Sequence, residues 1–142
     1  MITYFDTSAI VKLYIDEPGA DTIRALAEAA AVIATARVAF VEFHSALARR
    51  AREAPADVAA LDLARKAFVA DWPSFAGVEL TQALTERAAE MAEAFALRGY
   101  DAVHLASADL VHREGEASVT FACFDRHLNQ AARMLGLKTP VS

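Results

Sequence analysis

Four acids stand where apolar segments end or within helices close by. Asp6 closes Tyr4-Phe5-Asp6-Thr7-Ser8, and Asp125 closes Phe121-Ala122-Cys123-Phe124-Asp125. Asp101 opens a helix in Arg98-Gly99-Tyr100-Asp101-Ala102-Val103-His104, and Glu42 is mid-helix in Phe40-Val41-Glu42-Phe43. Each has an ordinary reading. An Asp just before a helix is a good N-cap, worth about 1 kcal/mol, and taken singly Asp101 and Asp125 read as caps. Asp6 differs, because Thr7 and Ser8 could cap the helix themselves and leave the carboxylate surplus. Glu42 lies off the apolar stripe of its helix and reads by default as a solvated glutamate. As a set they suggest something else. Two bare charges about 4 Å apart repel by about 4 kcal/mol near a protein surface, so a cation would be needed to gather them. An all-oxygen cluster suits Mg²⁺ or Mn²⁺, and such a site hydrolyses phosphate esters with a metal-activated water.

The elements that must position these acids can be read from periodicity and punctuation. Ile2–Asp6 reads as a strand, Thr7 to Ile15 as a helix stopped by Asp16-Glu17-Pro18-Gly19, Ala20 to Ala30 as a second helix and Val32–Thr35 as a buried strand. Arg37 to Glu53 is helical, with Phe40, Phe43 and Leu47 at core-facing spacing. Pro55-Ala56-Asp57 restarts a helix that carries Val58, Leu61, Ala64 and Phe68 inward. Then come a strand at Gly77–Leu80, a helix from Thr85 to Leu97 closed by Arg98-Gly99, and a helix from Asp101 to Arg113. A strand at Val119–Phe124 and a helix from Arg126 to Leu135, ended by Gly136, complete the chain. Short apolar strands alternating with helices imply an α/β fold with a parallel sheet covered on both sides. Sites in open sheets of this kind form at the carboxyl ends of the strands.

The bulk properties fit one globular unit. A length of 142 residues suits a single domain over positions 1–142. The net charge of −5 argues against gripping nucleic acid by bulk electrostatics, though bound cations can supply the missing positive charge. Mean hydropathy is +0.25, yet the most apolar run, Ala29 to Ala36, lies between Glu28 and Arg37 and is far short of the roughly 20 residues of a membrane span. Nothing after Met1 reads as a signal peptide. A cytoplasmic protein is expected.

Other chemistries find little support. Cys123 lies between apolar neighbours and reads as a buried structural thiol. His44, His104, His112 and His127 lack zinc spacing; His104, three residues after Asp101, could face the acidic site, with a partly exposed helix histidine the default. No acyl-transfer, Walker A or dinucleotide motif is present. Arg49, seven residues after Glu42 and so on its face, could meet a phosphate or simply end a helix in solvent, where the dipole favours bases. Lys12 has the same two readings, with a surface lysine the default.

Phe5-Asp6-Thr7-Ser8-Ala9, Val41-Glu42, Arg98-Gly99-Tyr100-Asp101-Ala102-Val103-His104-Leu105-Ala106 and Phe124-Asp125-Arg126-His127-Leu128 resemble, in order and spacing, the PIN domain. Within it the chain is most similar to VapC toxins of type II toxin–antitoxin modules. The likeness extends to Val11-Lys12-Leu13-Tyr14 and Glu17-Pro18-Gly19. The resemblance implies a three-layer α/β/α sandwich with a central parallel sheet, an endoribonuclease needing Mg²⁺ or Mn²⁺, a VapB-type antitoxin as partner, RNA as substrate and a homodimer. It maps the acidic site onto Asp6, Glu42, Asp101 and Asp125, with Asp125 the member of most variable contribution. Thr7 or Ser8 takes the hydroxyl position beside the first Asp. Many relatives carry Thr or Ser where this chain has Cys123.

Three other functions compete. A haloacid-dehalogenase-type phosphotransferase needs a second Asp two positions after the first, where this chain has Ser8. A receiver domain needs paired acids near the first strand and an Asp on a central one, and Gly77–Leu80 leads into Thr81-Gln82 instead. A catalytically silent PIN fold that only engages an antitoxin is the remaining alternative, against which stands the intact acidic set.

Overall fold

Side chains alternate across a strand, and the first strand (β1, Ile2–Phe5) uses this to feed two cores: Tyr4 and Phe5 are both fully buried, on opposite faces of the sheet. In the computed structural model, which describes residues 1–115 and 117–141, β1 is followed by α1 (Thr7–Tyr14), α2 (Ala20–Ala29), β2 (Val32–Ala36) and α3 (Val38–Glu53). A 3₁₀ turn at Pro55–Asp57 leads into α4 (Val58–Asp71), and another at Trp72–Ser74 into β3 (Ala76–Val78). The chain then forms α5 (Gln82–Phe95), α6 (Gly99–Glu114), β4 (Thr120–Ala122) and α7 (Arg126–Met134).

All strand pairs are parallel and the order is β3-β2-β1-β4. The chain therefore winds outward from β1 in one direction, then returns to add β4 on the other side. That reversal between β1 and β4 is where open α/β sheets leave a crevice at their carboxyl ends. Register pairs Tyr4 with Phe121 and Phe5 with Ala122, so Asp6 and Asp125 both lie just beyond the end of this pair.

Helices cover both faces. On one side Phe5 packs with Ile10, Ile23, Phe43 and Phe68 from α1 to α4, and the Phe43 and Phe68 rings stack at 4.0 Å. On the other, Tyr4 and Phe121 meet Met91, Leu105 and Leu128 from α5 to α7. The result is a three-layer α/β/α sandwich.

Several boundaries differ from the sequence reading. Arg98-Gly99 does not close α5. That helix ends at Phe95, Ala96 takes the left-handed position at φ 54, and Arg98 and Gly99 instead open α6. Asp101 is consequently a first-turn residue of α6 and not its cap. Helix α5 starts three residues early because Thr81 caps it, accepting from Leu84 N. Strands β3 and β4 are shorter than expected, and Val58, at the first position of α4, is 49% exposed, one turn ahead of the buried Leu61, Ala64 and Phe68. Glycine closes α7 as expected, with Gly136 at φ 85.

Candidate active site

The two strand-end acids are both caps and both more than caps. Asp6 Oδ1 accepts from Ala9 N at 3.0 Å and from the Ser8 hydroxyl at 2.7 Å, so Asp6 itself caps α1, and Thr7 and Ser8 do not. Neither bond uses Oδ2. Asp125 Oδ1 caps α7 through Leu128 N at 2.9 Å, while its Oδ2 faces Arg98 at 3.8 Å. Arg98 also reaches Asp101 Oδ2 with Nε at 3.1 Å, so one guanidinium spans two of the four acids.

Glu42 is held from two sides. The Thr7 hydroxyl donates to its Oε1 at 2.7 Å, and His104 Nε2 lies 2.7 Å from the same oxygen. A carboxylate only accepts, so Nε2 carries a hydrogen, and on the other side of the ring Nδ1 lies 2.7 Å from the Tyr4 hydroxyl. Tyr4, His104 and Glu42 thus form a line running from the sheet interior to the cleft. His104 is 2% exposed, not the partly exposed histidine expected: α6 presses this face against the sheet, and Tyr4 supplies the polar partner that burial demands. Its one sequence signal was its place three residues after Asp101, on the same helix face.

Burial pushes the Asp6 carboxyl above its ordinary range, and the nearby Asp101 charge adds to the rise, against the opposing pull of His104, Ser8 and Ala9. Desolvation also acts on Glu42, but the hydrogen bonds from His104 and Thr7 outweigh it and hold that carboxyl below its usual range. Burial raises the Cys123 thiol; its Sγ faces Asn129 Oδ1 at 3.3 Å, inside the core.

Asp6, Thr7, Ser8, Glu42, Asp101 and Asp125 all line one cleft of about 820 Å³. Four basic side chains share it: Lys12, Arg49, Arg50 and Arg98. Lys12 is not the surface lysine expected. Its side chain is 18% exposed, pairs with Glu17 at 3.2 Å and lies 4.5 Å over the Phe124 ring. Glu17, part of a helix stop and of the family likeness in the sequence, also receives Arg50 at 2.9 Å. Among the described residues, no three His, Cys, Asp or Glu side chains already stand as a metal-ligand set; the acids face one space without converging on one point.

A family model for the PIN domain matches residues 3–134. Two proteins of Mycobacterium tuberculosis, Ribonuclease VapC45 and Ribonuclease VapC49, are each 36% identical to the chain over 137 residues, covering 96% of it and 93% of their own length. The crystal structure of VapC20 from the same organism, described as a sarcin-ricin loop cleaving toxin, matches with a TM-score of 0.66 over 91% of this chain and 94% of that one. At 20% identity that likeness speaks to the fold. The chain belongs to the PIN-domain family. Its relatives place it in the VapC-type ribonuclease branch. Among the described residues, no helix is long and apolar enough to cross a membrane.

Proposed function

We propose that this protein is a metal-dependent endoribonuclease, the toxin of a type II toxin–antitoxin pair, with Asp6, Glu42, Asp101 and Asp125 as its acidic site. The observation that carries this reading is the meeting of four acids from four separate segments at one cleft, at the switch between β1 and β4. The donor set suits a hard divalent cation. Asp6 is a buried carboxylate with one oxygen unused by its hydrogen bonds and a second acid near enough to raise its pKa. Arg98 meanwhile supplies a positive charge between Asp101 and Asp125. Asp6, Asp101, Glu42 and Asp125 would hold Mg²⁺ or Mn²⁺, which supplies charge neutralisation at phosphate and a more acidic water.

The chain's own residues do the positioning. Ser8 and the Ala9 amide fix the Asp6 carboxylate, leaving Oδ2 available. Thr7 and His104 fix Glu42 as an ionised acceptor, able to hold a proton donor of the substrate or an attacking water in line. Arg98, 82% exposed, can swing from its two acids toward a phosphate. A VapB-type antitoxin and a second copy of the chain are the proposed protein partners, and the cytoplasm the proposed location. Support for partners of this kind comes from the relatives' type and from exposed apolar side chains such as Val41 and Tyr100 near the cleft.

The test incubates antitoxin-free protein with total RNA and with transfer RNA, adding Mg²⁺, Mn²⁺ or chelator, beside Asp6→Asn and Asp101→Asn. Discrete cleavage that needs metal and disappears in both folded variants is expected. Neither cleavage nor metal binding would leave a silent, antitoxin-binding PIN fold as the better account.

A further inference from the structure

The cleft has four basic side chains, and three are already engaged. Lys12 and Arg50 share Glu17, and Arg98 spans Asp101 and Asp125. Arg49 is exposed, lines the same cleft, and pairs with no carboxylate among the described residues. It is also placed by the helix that places Glu42. Glu42, Ser45, Ala46 and Arg49 all line the cleft from α3, at the i, i+3, i+4, i+7 spacing of one helix face.

We infer that Arg49 forms a phosphate subsite for the RNA strand, away from the scissile bond. This rests on the ribonuclease reading above and adds to it the direction in which substrate leaves the acidic centre. Seven residues of helix advance roughly 10 Å, and stacked nucleotides advance about 3.4 Å each along a strand. On that spacing Arg49 meets a phosphate about three nucleotides from the cut, along the line of α3. Five carboxylates also face this cleft: Asp6, Glu17, Glu42, Asp101 and Asp125. A polyanion entering it meets Arg49 without first displacing a carboxylate, as it would have to at Lys12, Arg50 or Arg98. The guanidinium's fixed fork suits a phosphate's paired oxygens.

The experiment measures binding of a fluorescently labelled single-stranded RNA of mixed sequence, in Mg²⁺, across a series of KCl concentrations. It uses the Asp6→Asn background so that the probe survives, and adds Arg49→Gln, Arg49→Lys or the control Arg24→Gln, whose arginine lies outside the cleft. For one lost phosphate contact on a single strand, the slope of log K against log salt should become shallower by about 0.7. Affinity at low salt should fall about three- to tenfold in Arg49→Gln, remain largely in Arg49→Lys and stay unchanged in Arg24→Gln. Arg49→Gln indistinguishable from Arg24→Gln in slope and affinity overturns the subsite, and would instead turn attention to an acidic protein segment as Arg49's partner. Parallel cleavage assays with Asp6 intact separate the two claims. Cleavage that persists while the slope is unmoved sinks only the subsite; absence of both cleavage and RNA binding sinks it together with the ribonuclease reading.

Discussion

His104 and Glu42, 62 positions apart, meet at 2.7 Å, and the histidine brings the buried Tyr4 hydroxyl with it. The pair links the sheet interior to a cleft carboxylate, so Glu42 owes part of its orientation to a side chain that is almost wholly buried. Replacing His104 with Ala leaves both Tyr4 Oη and Glu42 short of a partner, at about 1–3 kcal/mol for each polar group that stays buried. Denaturant unfolding should show a lower midpoint. Beyond that loss, RNA cleavage by the folded fraction should fall about 10²-fold, the scale of a misplaced catalytic group. A double-mutant cycle with Glu42→Gln distinguishes positioning from general weakening: if His104 acts through Glu42, the second substitution adds little to the first. Additive losses in kcat would show that His104 acts independently of Glu42, and an unchanged kcat in the folded fraction that it serves stability alone.

Asp6 carries the opposite energetic sign from an ordinary ion-paired acid. Its folded pKa is raised, so its ionised form is disfavoured by folding. That destabilisation is absent below the unfolded value of about 3.9, grows as pH rises toward the folded pKa, and is fully present above it. Asn caps a helix as well as Asp does. Asp6→Asn should therefore melt higher than the metal-free parent at neutral pH, and one kcal/mol is worth about 2–4 °C in a chain of this size. The gain should fade near pH 3. Added Mg²⁺ or Mn²⁺ should raise the parent's melting point but not the variant's. A variant that melts lower at neutral pH would mean that Asp6 is a structural cap and nothing else.

Much of this arrangement was visible before folding, and the parts that were not share a physical cause. Asp6 and Asp125 could be placed because a strand end is a local signal: apolar residues alternate or run together, then stop. Glu42 and Asp101 are only suggestive members of the acid set until the family likeness supports them, since nothing local distinguishes them from an ordinary solvated glutamate and a helix cap. The burial of His104 is not legible locally because it depends on Tyr4, one hundred positions away. The pairing of Glu17 is hidden for the same reason, its partner Arg50 lying 33 positions on. The misplaced end of α5 has a different origin. Gly99 suggested a C-terminal stop, whereas Ala96 accepts the left-handed conformation and frees Gly99 to begin the next helix.

Glu17 supplies a prediction of normal sign. Partial burial works to raise its carboxyl, but hydrogen bonds from Arg50 and Lys12 overcome that and leave it below the usual range. Its contribution to stability is present above the unfolded value of about 4.3 and is lost as pH falls through the lower folded value. Glu17→Gln should reduce stability at pH 7 by about 1 kcal/mol, a modest figure because Arg50 is partly solvated. Melting curves of parent and variant should converge toward pH 3. A difference that stays constant across that range would assign the effect to packing against Lys12 rather than to charge.

The turn after Glu17 is set by a glycine in a conformation that side-chain-bearing residues rarely adopt. Gly19 sits at φ +94, and a Cβ there would lie 2.8 Å from Phe124 Cε1 and 3.1 Å from Lys12 Cε. The phenylalanine ring is packed under Lys12 at the mouth of the cleft, so it has little room to yield. Gly19→Ala should destabilise the protein by about 1–3 kcal/mol and weaken RNA cleavage through displacement of Lys12 and Phe124. Gly99→Ala makes the contrasting case. A Cβ there meets nothing within 4 Å and the backbone is helical, so stability should be unchanged or higher by up to about 1 kcal/mol through the unfolded state. The urea midpoint should fall for Gly19→Ala and hold or rise for Gly99→Ala; a neutral Gly19→Ala would show that the loop reshapes freely and that its contact with Phe124 does not hold the cleft.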